Sequence, residues 1–230
     1  MKFKKTNVWG FEHAIRGMMN TLECWRKSDS HLCQEIKCED CTSEGRYCGK
    51  GKFIIGKNDL ELMKRRIKAG SEYRKFMCQI IVSVDITAPL YWWNELDKEY
   101  KTGTVANSTN TMHKLANGPI TIDCFEMSDF QNVDTWGSAN CHGTWDLVTF
   151  SCEGLRQKYN ETKDERYWKE LLRLLPSSWL QTITITMSYE NILTMVNQEK
   201  NHQLTEWSVD FMNWAKTLPY ADELLFMVKE

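Results

Sequence analysis

The sequence predicts a layered α/β or α+β domain in which a central, mostly antiparallel or mixed sheet is flanked by helices. Three observations predict it. Gln181-Thr-Ile-Thr-Ile-Thr-Met187 alternates polar and apolar residues strictly, which is the period of a half-buried strand. Ile80-Ile81-Val82 is a second run rich in β-branched residues, which suit a pleated surface. Trp207, Phe211, Trp214 and Leu218 recur at 4-3-4 spacing, the stripe of a helix that packs by one face. With 230 residues, 42% of them apolar, the chain can bury one substantial core. One domain over residues 1–230 is expected, with a cysteine-rich insertion at about 25–52.

Taken in order, Lys2 to Trp9 reads as a strand. A short helix or turn follows, with Phe11, Ala14, Ile15 and Met18 on one side. Residues 25–52 are rich in Cys, Gly, Ser and charge and read as a long loop or an inserted knuckle. Phe53-Ile54-Ile55-Gly56 reads as a short strand. Asn58 or Asp59 then caps a helix carrying Leu60, Met63 and Ile67, which ends at Ala69-Gly70. Ser71-Glu72 sits at a turn before the Ile80 strand, and Cys78 reads as a core residue. Pro89 permits a helix from Leu90 to Leu96. Thr102 to Thr111 is a tract of small polar residues that suits a helix lining a pocket, and Asn117-Gly118-Pro119 is a turn. Residues 121–145 show no clear period. Leu147 to Asn160 and Asp164 to Leu175 read as an antiparallel helical hairpin joined by Glu161-Thr-Lys. After the strand at 181–187, Ser188 caps a helix from Tyr189 to Lys200. A last helix runs from Leu204 to Leu218 and stops at Pro219.

Composition removes several function classes. The net charge of -2 gives no electrostatic case for binding a nucleic acid polymer. Lys64-Arg65-Arg66 with Lys68 reads as the solvated face of a helix. No stretch approaches the ~18 apolar residues of a membrane span, and the basic N-terminus is not followed by the apolar core of a secretory signal. A soluble, cytoplasmic protein is expected. Gly49-Lys50-Gly51-Lys52 lacks the spacing and the following Ser or Thr of a phosphate loop. Cys141-His142 is no catalytic pair, because adjacent side chains diverge.

Nine cysteines in a reducing compartment read as thiols or metal ligands. Cys33, Cys38, Cys41 and Cys48 place four thiols within sixteen residues, with one two-residue spacing at Cys38-Glu-Asp-Cys41. They are the candidate ligands of a structural Zn²⁺, which would give a polar loop a fixed shape. A loop of free or partly buried thiols is the alternative.

The segment from Gly70 to His113 joins charge, paired tryptophans and the small polar tract, a mixture suited to a polar, planar ligand. Glu72 can accept from a ligand hydroxyl or ring nitrogen, or serve as a turn carboxylate. Asp85, inside an apolar run, needs a partner such as Lys101 or Arg74, or a ligand. Trp92 or Trp93 can stack on a ring while the other packs. Thr104, Asn107, Ser108 and Asn110 are pocket candidates able to read a base edge. His113 and His202 are candidate proton donors or phosphate contacts, with helix capping the alternative for His202. Tyr189 and Asn191 lie where a helix start can meet an anion.

Two regions carry a resemblance to a known family. One is Ser71-Glu72-Tyr73 with Phe76, then Tyr91 to His113. The other is Leu175-Pro176, the threonine strand, and the helices from Ser188 to Leu218. In order and character these resemble the flavin-dependent thymidylate synthase family, and especially a divergent branch of phage and Firmicute proteins. The small polar tract is retained as Gly103-Thr104 and Asn107-Ser108-Thr109-Asn110. The chain departs from the family pattern at Tyr73, where the family has a histidine, and at Trp93 to Asp97, where the family has an arginine-histidine-arginine element. It departs again at Met112-His113 and around Glu190 and Glu199. The resemblance implies a homotetramer that uses FAD, NADPH and methylenetetrahydrofolate to methylate dUMP; on that reading Arg74, Lys75, Lys101, His113 or Lys114 supplies the positive charge in place of the missing arginines. Two alternatives stand beside it: a nucleotide-binding, nucleotide-modifying or nucleotide-sequestering protein on the same fold, and a structural or interaction protein without a catalytic site.

Overall fold

The structure is a computed structural model that describes residues 1–20, 23–33, 53–100, 104–105, 115–127 and 141–227. Its strands are β1 (Lys2–Trp9), β2 (His31–Leu32), β3 (Phe53–Ile54), β4 (Ile81–Pro89), β5 (Thr104–Val105) and β6 (Leu180–Ser188). Its helices are α1 (Phe11–Met19), α2 (Lys57–Ala69), α3 (Leu90–Tyr100), α4 (Cys141–Thr162), α5 (Glu165–Leu174), α6 (Tyr189–Glu199), α7 (Met212–Lys216) and α8 (Ala221–Leu224). One sheet has the order β1-β4-β6-β5, and β2 pairs antiparallel with β3 in a second, two-stranded sheet. The fold is α/β, with a mixed sheet flanked by helices.

The chain forms two compact units. The first comprises Met1–Lys5 and Val84–Ile185, the second Thr6–Ser83 and Thr186–Glu230.

In the first unit β4 and β6 are tied side by side. Thr87 and Thr182 share a hydroxyl–hydroxyl bond of 2.8 Å, and the Thr184 hydroxyl donates to Asp85 Oδ1 at 2.6 Å. These pairs run in opposite senses along the two strands, so the pairing is antiparallel. The alternation predicted for 181–187 holds: Ile183, Ile185 and Met187 are buried while the threonines between them are half-exposed. In β4, Val84, Ile86 and Ala88 are fully buried.

Helix α3 starts without a break after Pro89. Its first free N–H groups are accepted elsewhere, Leu90 N–H by Trp179 O and Tyr91 N–H by Ser177 O, both at 3.1 Å. The helix is longer than predicted and ends at Tyr100. The hairpin of α4 and α5 is present, with α4 beginning at Cys141 rather than Leu147. Asp164 caps α5 by accepting from Arg166 N–H. Beneath the hairpin, Leu115, Ile120, Phe125, Cys152, Leu171 and Trp179 form a buried cluster, in which Phe125 meets the rings of Trp145 and Trp179. A polar clamp sits beside it. Glu153 Oε2 accepts from Ile120 N–H and from Arg156 Nε, both at 2.7 Å, while Asn160 Nδ2 and Arg156 Nη1 donate to Ala116 O.

In the second unit the stripe Trp207, Phe211, Trp214 and Leu218 is buried, as its spacing predicts. The predicted single helix from Leu204 is corrected, however. Glu206–Phe211 is π-helical and only Met212–Lys216 is α-helical. A wider turn keeps residues four apart on one side, so Trp207 and Phe211 meet edge to face at 5.4 Å. Trp214 Nε1 donates to Thr6 Oγ1.

Two further readings are corrected in this unit. The cap of α2 is neither Asn58 nor Asp59 but Asp29, whose carboxylate accepts from both of their N–H groups. Burial works against that charge, yet the two N–H groups outweigh it and hold Asp29 below the ordinary carboxylate range. Gly56 leaves room for this cap, since a Cβ there would lie 2.2 Å from the Asp29 carboxyl. Asp59 is buried instead and accepts from the Ser28 and Ser30 hydroxyls, both at 2.6 Å. The described start of the cysteine-rich segment holds the turn Trp25–Lys27 and β2, which pairs with β3 beyond it. Cys78, read as core, is exposed because the turn Lys75–Gln79 buries Phe76 and Met77 in its place.

Two outcomes follow. Gly10 takes φ 97, and a Cβ on it would meet Gln79 O at 2.1 Å. Gly10→Ala is expected to cost roughly 1–3 kcal/mol, read as a lower urea midpoint with unchanged slope. Glu153 is held down at about 2, first by the Arg156 hydrogen bond, against burial. A depressed carboxylate stabilises the fold above its unfolded value, and that contribution is lost as pH falls toward the folded one. Glu153→Gln should therefore lower stability by ~2 kcal/mol at pH 7, and the gap to wild type should close between about pH 4.5 and pH 2. A gap independent of pH would contradict this account.

Candidate functional site

The polar face that β4 and β6 present in the first unit is the most developed constellation among the described residues. It follows from the alternation itself: when every second residue is buried, Asp85, Thr87, Thr182 and Thr184 must share the other face. Asp85 is the one carboxylate on it. Its Oδ1 takes the Thr184 hydroxyl, and Lys5 Nζ lies 3.5 Å from Oδ2. The partner of Asp85 is thus Lys5, not Arg74, while Lys101 lies outside the described residues. Thr184 first, and Lys5 after it, hold Asp85 below the ordinary carboxylate range. Lys5 reaches this face through an irregularity in β1: Lys4 and Lys5 are both exposed, and Lys5 has φ 52, the sign of an extra residue in the strand. The arrangement supplies an ionised acceptor flanked by hydroxyls, suited to a ligand N–H or O–H.

Most of the described residues singled out in the sequence are taken up by packing, caps or ion pairs. In the first unit Trp92 is 1% exposed and set edge-on to Trp93 at 5.0 Å. Trp93 is also buried and donates its Nε1 to Gln181 O, so both tryptophans of the pair serve packing. Thr104 lies in β5. Asn107, Ser108, Asn110 and His113 lie outside the described residues.

In the second unit Glu72 is on the surface, paired with exposed Lys75 at 3.2 Å. Arg74 is engaged by Glu190. Its Nε lies 2.9 Å from both carboxylate oxygens and its Nη2 2.8 Å from Oε1, with both side chains about one fifth exposed. This bidentate pair spends the guanidinium on a carboxylate of its own chain. Beside it the Cys78 thiol is pushed up by partial burial and by Glu190, with Arg74 opposing. Tyr189 is buried and donates its hydroxyl to Pro219 O; burial and Tyr220 raise its pKa. Ser188 and Asn191 cap α6 reciprocally, occupying the helix start that was read as an anion site. His202 caps the next turn, its Nδ1 accepting from Leu204 N–H at 3.0 Å.

Of the proposed zinc ligands, Cys33 is buried, and Cys38, Cys41 and Cys48 lie outside the described residues. Among the described residues no group of three His, Cys, Asp or Glu side chains is arranged to hold a metal, and no helix is long and apolar enough to cross a membrane.

Sequence reasoning missed the ladder from Asp85 to Thr184. Its signal was present in the two alternating runs, but their pairing was not.

The fold places the chain among α/β proteins with a helix-flanked mixed sheet. The sequence matches no protein-family model and no curated protein. Among solved structures, the chain is similar to flavin-dependent thymidylate synthase ThyX from Helicobacter pylori complexed with FAD and dUMP, with a TM-score of 0.63 at 14% identity over 99% of this chain and 98% of that one. A second structure of the Helicobacter pylori protein with FAD and dUMP gives a TM-score of 0.62 at 14% identity and the same coverage. At this identity the likeness is one of fold.

The ion pair of Arg74 and Glu190 makes a direct prediction. In a double-mutant cycle of Arg74→Gln and Glu190→Gln, the coupling should be about 1 kcal/mol in favour of the pair, measured by urea unfolding. A coupling near zero would mean that Arg74 is energetically free for a ligand.

Proposed function

We propose that this protein binds a flavin and a pyrimidine nucleotide, and that its reaction is the reductive methylation of dUMP from methylenetetrahydrofolate, with NADPH reducing FAD. The observation that carries the reading is the correspondence of fold from end to end with a protein solved with FAD and dUMP. The Asp85 ladder gives it further support as an acceptor for donor groups of a ring or sugar.

The described candidates do not themselves fit a flavin phosphate. Arg74 is neutralised by Glu190, Lys75 is paired with Glu72, and Trp92 is enclosed. A phosphate needs unspent cations or free N–H groups. In this reading they come from Lys101, His113 and Lys114, beside the tract Asn107, Ser108 and Asn110, and from other copies in a homotetramer. No catalytic step is assigned to a described side chain.

The departures from the family pattern at Tyr73 and at Trp93 to Asp97 support a second reading, in which a nucleotide is bound without this reaction, and the Arg74–Glu190 pair limits the phosphate contacts of both readings. A guanidinium held by two carboxylate oxygens is a poor phosphate ligand until that pair opens.

Titration of the full-length protein with FAD and with dUMP, followed by NADPH oxidation and release of the C5 proton of dUMP, separates the readings. Saturable FAD binding with proton release supports the synthase. A thermal shift with dUMP or another nucleotide, without turnover, supports the second reading. No uptake of FAD at tens of micromolar and no shift with any nucleotide would overturn both.

A further inference from the structure

The second unit holds a cavity of about 360 Å³ that plays no part in the nucleotide reading. Trp9, at the end of β1, and Phe11, at the start of α1, form one side of its lining. Leu32 and Phe53, from the β2–β3 pair, form another, and Pro219 and Tyr220 close the third. Trp9 and Leu32 are each 49% exposed, an unusual outlay of large apolar surface on residues that converge on one space.

The far wall is tied together by ring contacts and hydrogen bonds. The Phe11 ring sits edge-on to Tyr220 at 5.7 Å and to Tyr189 at 5.6 Å. The Tyr189 hydroxyl donates to Pro219 O, and the Tyr220 hydroxyl accepts from Ile55 N–H at 2.9 Å. Tyr220 is held at φ 55, a left-handed conformation that a bulky residue adopts at a cost of roughly 1–3 kcal/mol. The Phe11 ring and the Ile55 hydrogen bond hold Tyr220 there, at the cavity lining. A preformed aromatic wall binds a flat ligand without first being ordered.

Size and charge narrow the ligand. Benzene fills an apolar cavity of about 150 Å³, so this one suits two or three fused rings. The polar lining residues are Glu12 and His13, and the described lining includes no lysine or arginine. A phosphate or sulfonate would find a carboxylate and no cation, whereas a neutral or cationic ring system gains from both the carboxylate and the π faces.

We propose that this cavity is a binding site for a planar, neutral or cationic aromatic molecule of two or three fused rings, clasped between Trp9, Phe53 and Tyr220.

The test titrates proflavine, a three-ring cation, into the full-length protein by fluorescence anisotropy. One saturable site per chain is expected. Trp9→Ala, at a half-exposed position that leaves the core intact, should weaken binding about tenfold, and Phe53→Ala likewise. Trp25→Ala, which removes another exposed tryptophan outside the cavity, should leave it unchanged. Anthraquinone-2-sulfonate, with the same ring count and opposite charge, should bind about tenfold more weakly than proflavine. Excess dUMP should displace nothing. The proposal is overturned if proflavine shows no saturable site, if Trp9→Ala binds as wild type does, if the sulfonate binds more tightly, or if dUMP competes.

Discussion

The antiparallel pairing of β4 with β6 is the constraint from which the rest of the structure follows. On one face the pairing sets Asp85 against Thr184 and Thr87 against Thr182, and on the other it buries Val84, Ile86, Ala88, Ile183 and Ile185. A slip of β4 by one residue would turn its side chains over, placing Asp85 in the core and Val84, Ile86 and Ala88 on the polar face. The register is therefore fixed twice, by burial on one side and by hydroxyl bonds on the other. Once it is fixed, Trp179 and Ser177 stand where their carbonyls receive the first turn of α3, and Trp179 stands where Phe125 can pack on it.

What was legible in the sequence is what repeats. The strand at 181–187 and the stripe from Trp207 to Leu218 state their buried face through spacing, and both buried faces are found as read. What was not legible depends on residues far apart in the chain or on geometry that spacing does not encode. Asp29 caps a helix about thirty positions downstream, so no local signal could name it over Asn58. A 4-3-4 stripe reads alike on an α-helix and on a segment that opens into a π turn, so Glu206–Phe211 passed as ordinary helix. Cys78 looked apolar among apolar neighbours, but a 3₁₀ turn has three residues per turn and delivers Phe76 and Met77 inward instead.

The candidate site was less legible than the fold, and Arg74 shows why. Its residue type announces a charge but not what has already claimed that charge, and Glu190 sits 116 positions away in sequence. Tyr189 and Trp92 misled in the same way: a hydroxyl or an indole suits a ligand and a core equally well, and only burial decides between them. The lining of the aromatic cavity was scattered over Trp9, Phe53 and Tyr220, each unremarkable alone.

The threonine ladder also bears on how the chain reaches its native state. Its partners are 95 and 99 residues apart, so the bonds that fix the register close a loop holding nearly half the protein. Closing such a loop costs entropy before any contact repays it. The α4–α5 hairpin, joined by a short turn, needs no such closure and can form early, drawing Trp179 and the start of β6 toward its buried side. Loop length alone therefore places register selection after the hairpin, an order in which two β-branched strands wait unpaired. Their alternate threonines and the Asp85 charge blunt those edges against pairing with another copy in the interval.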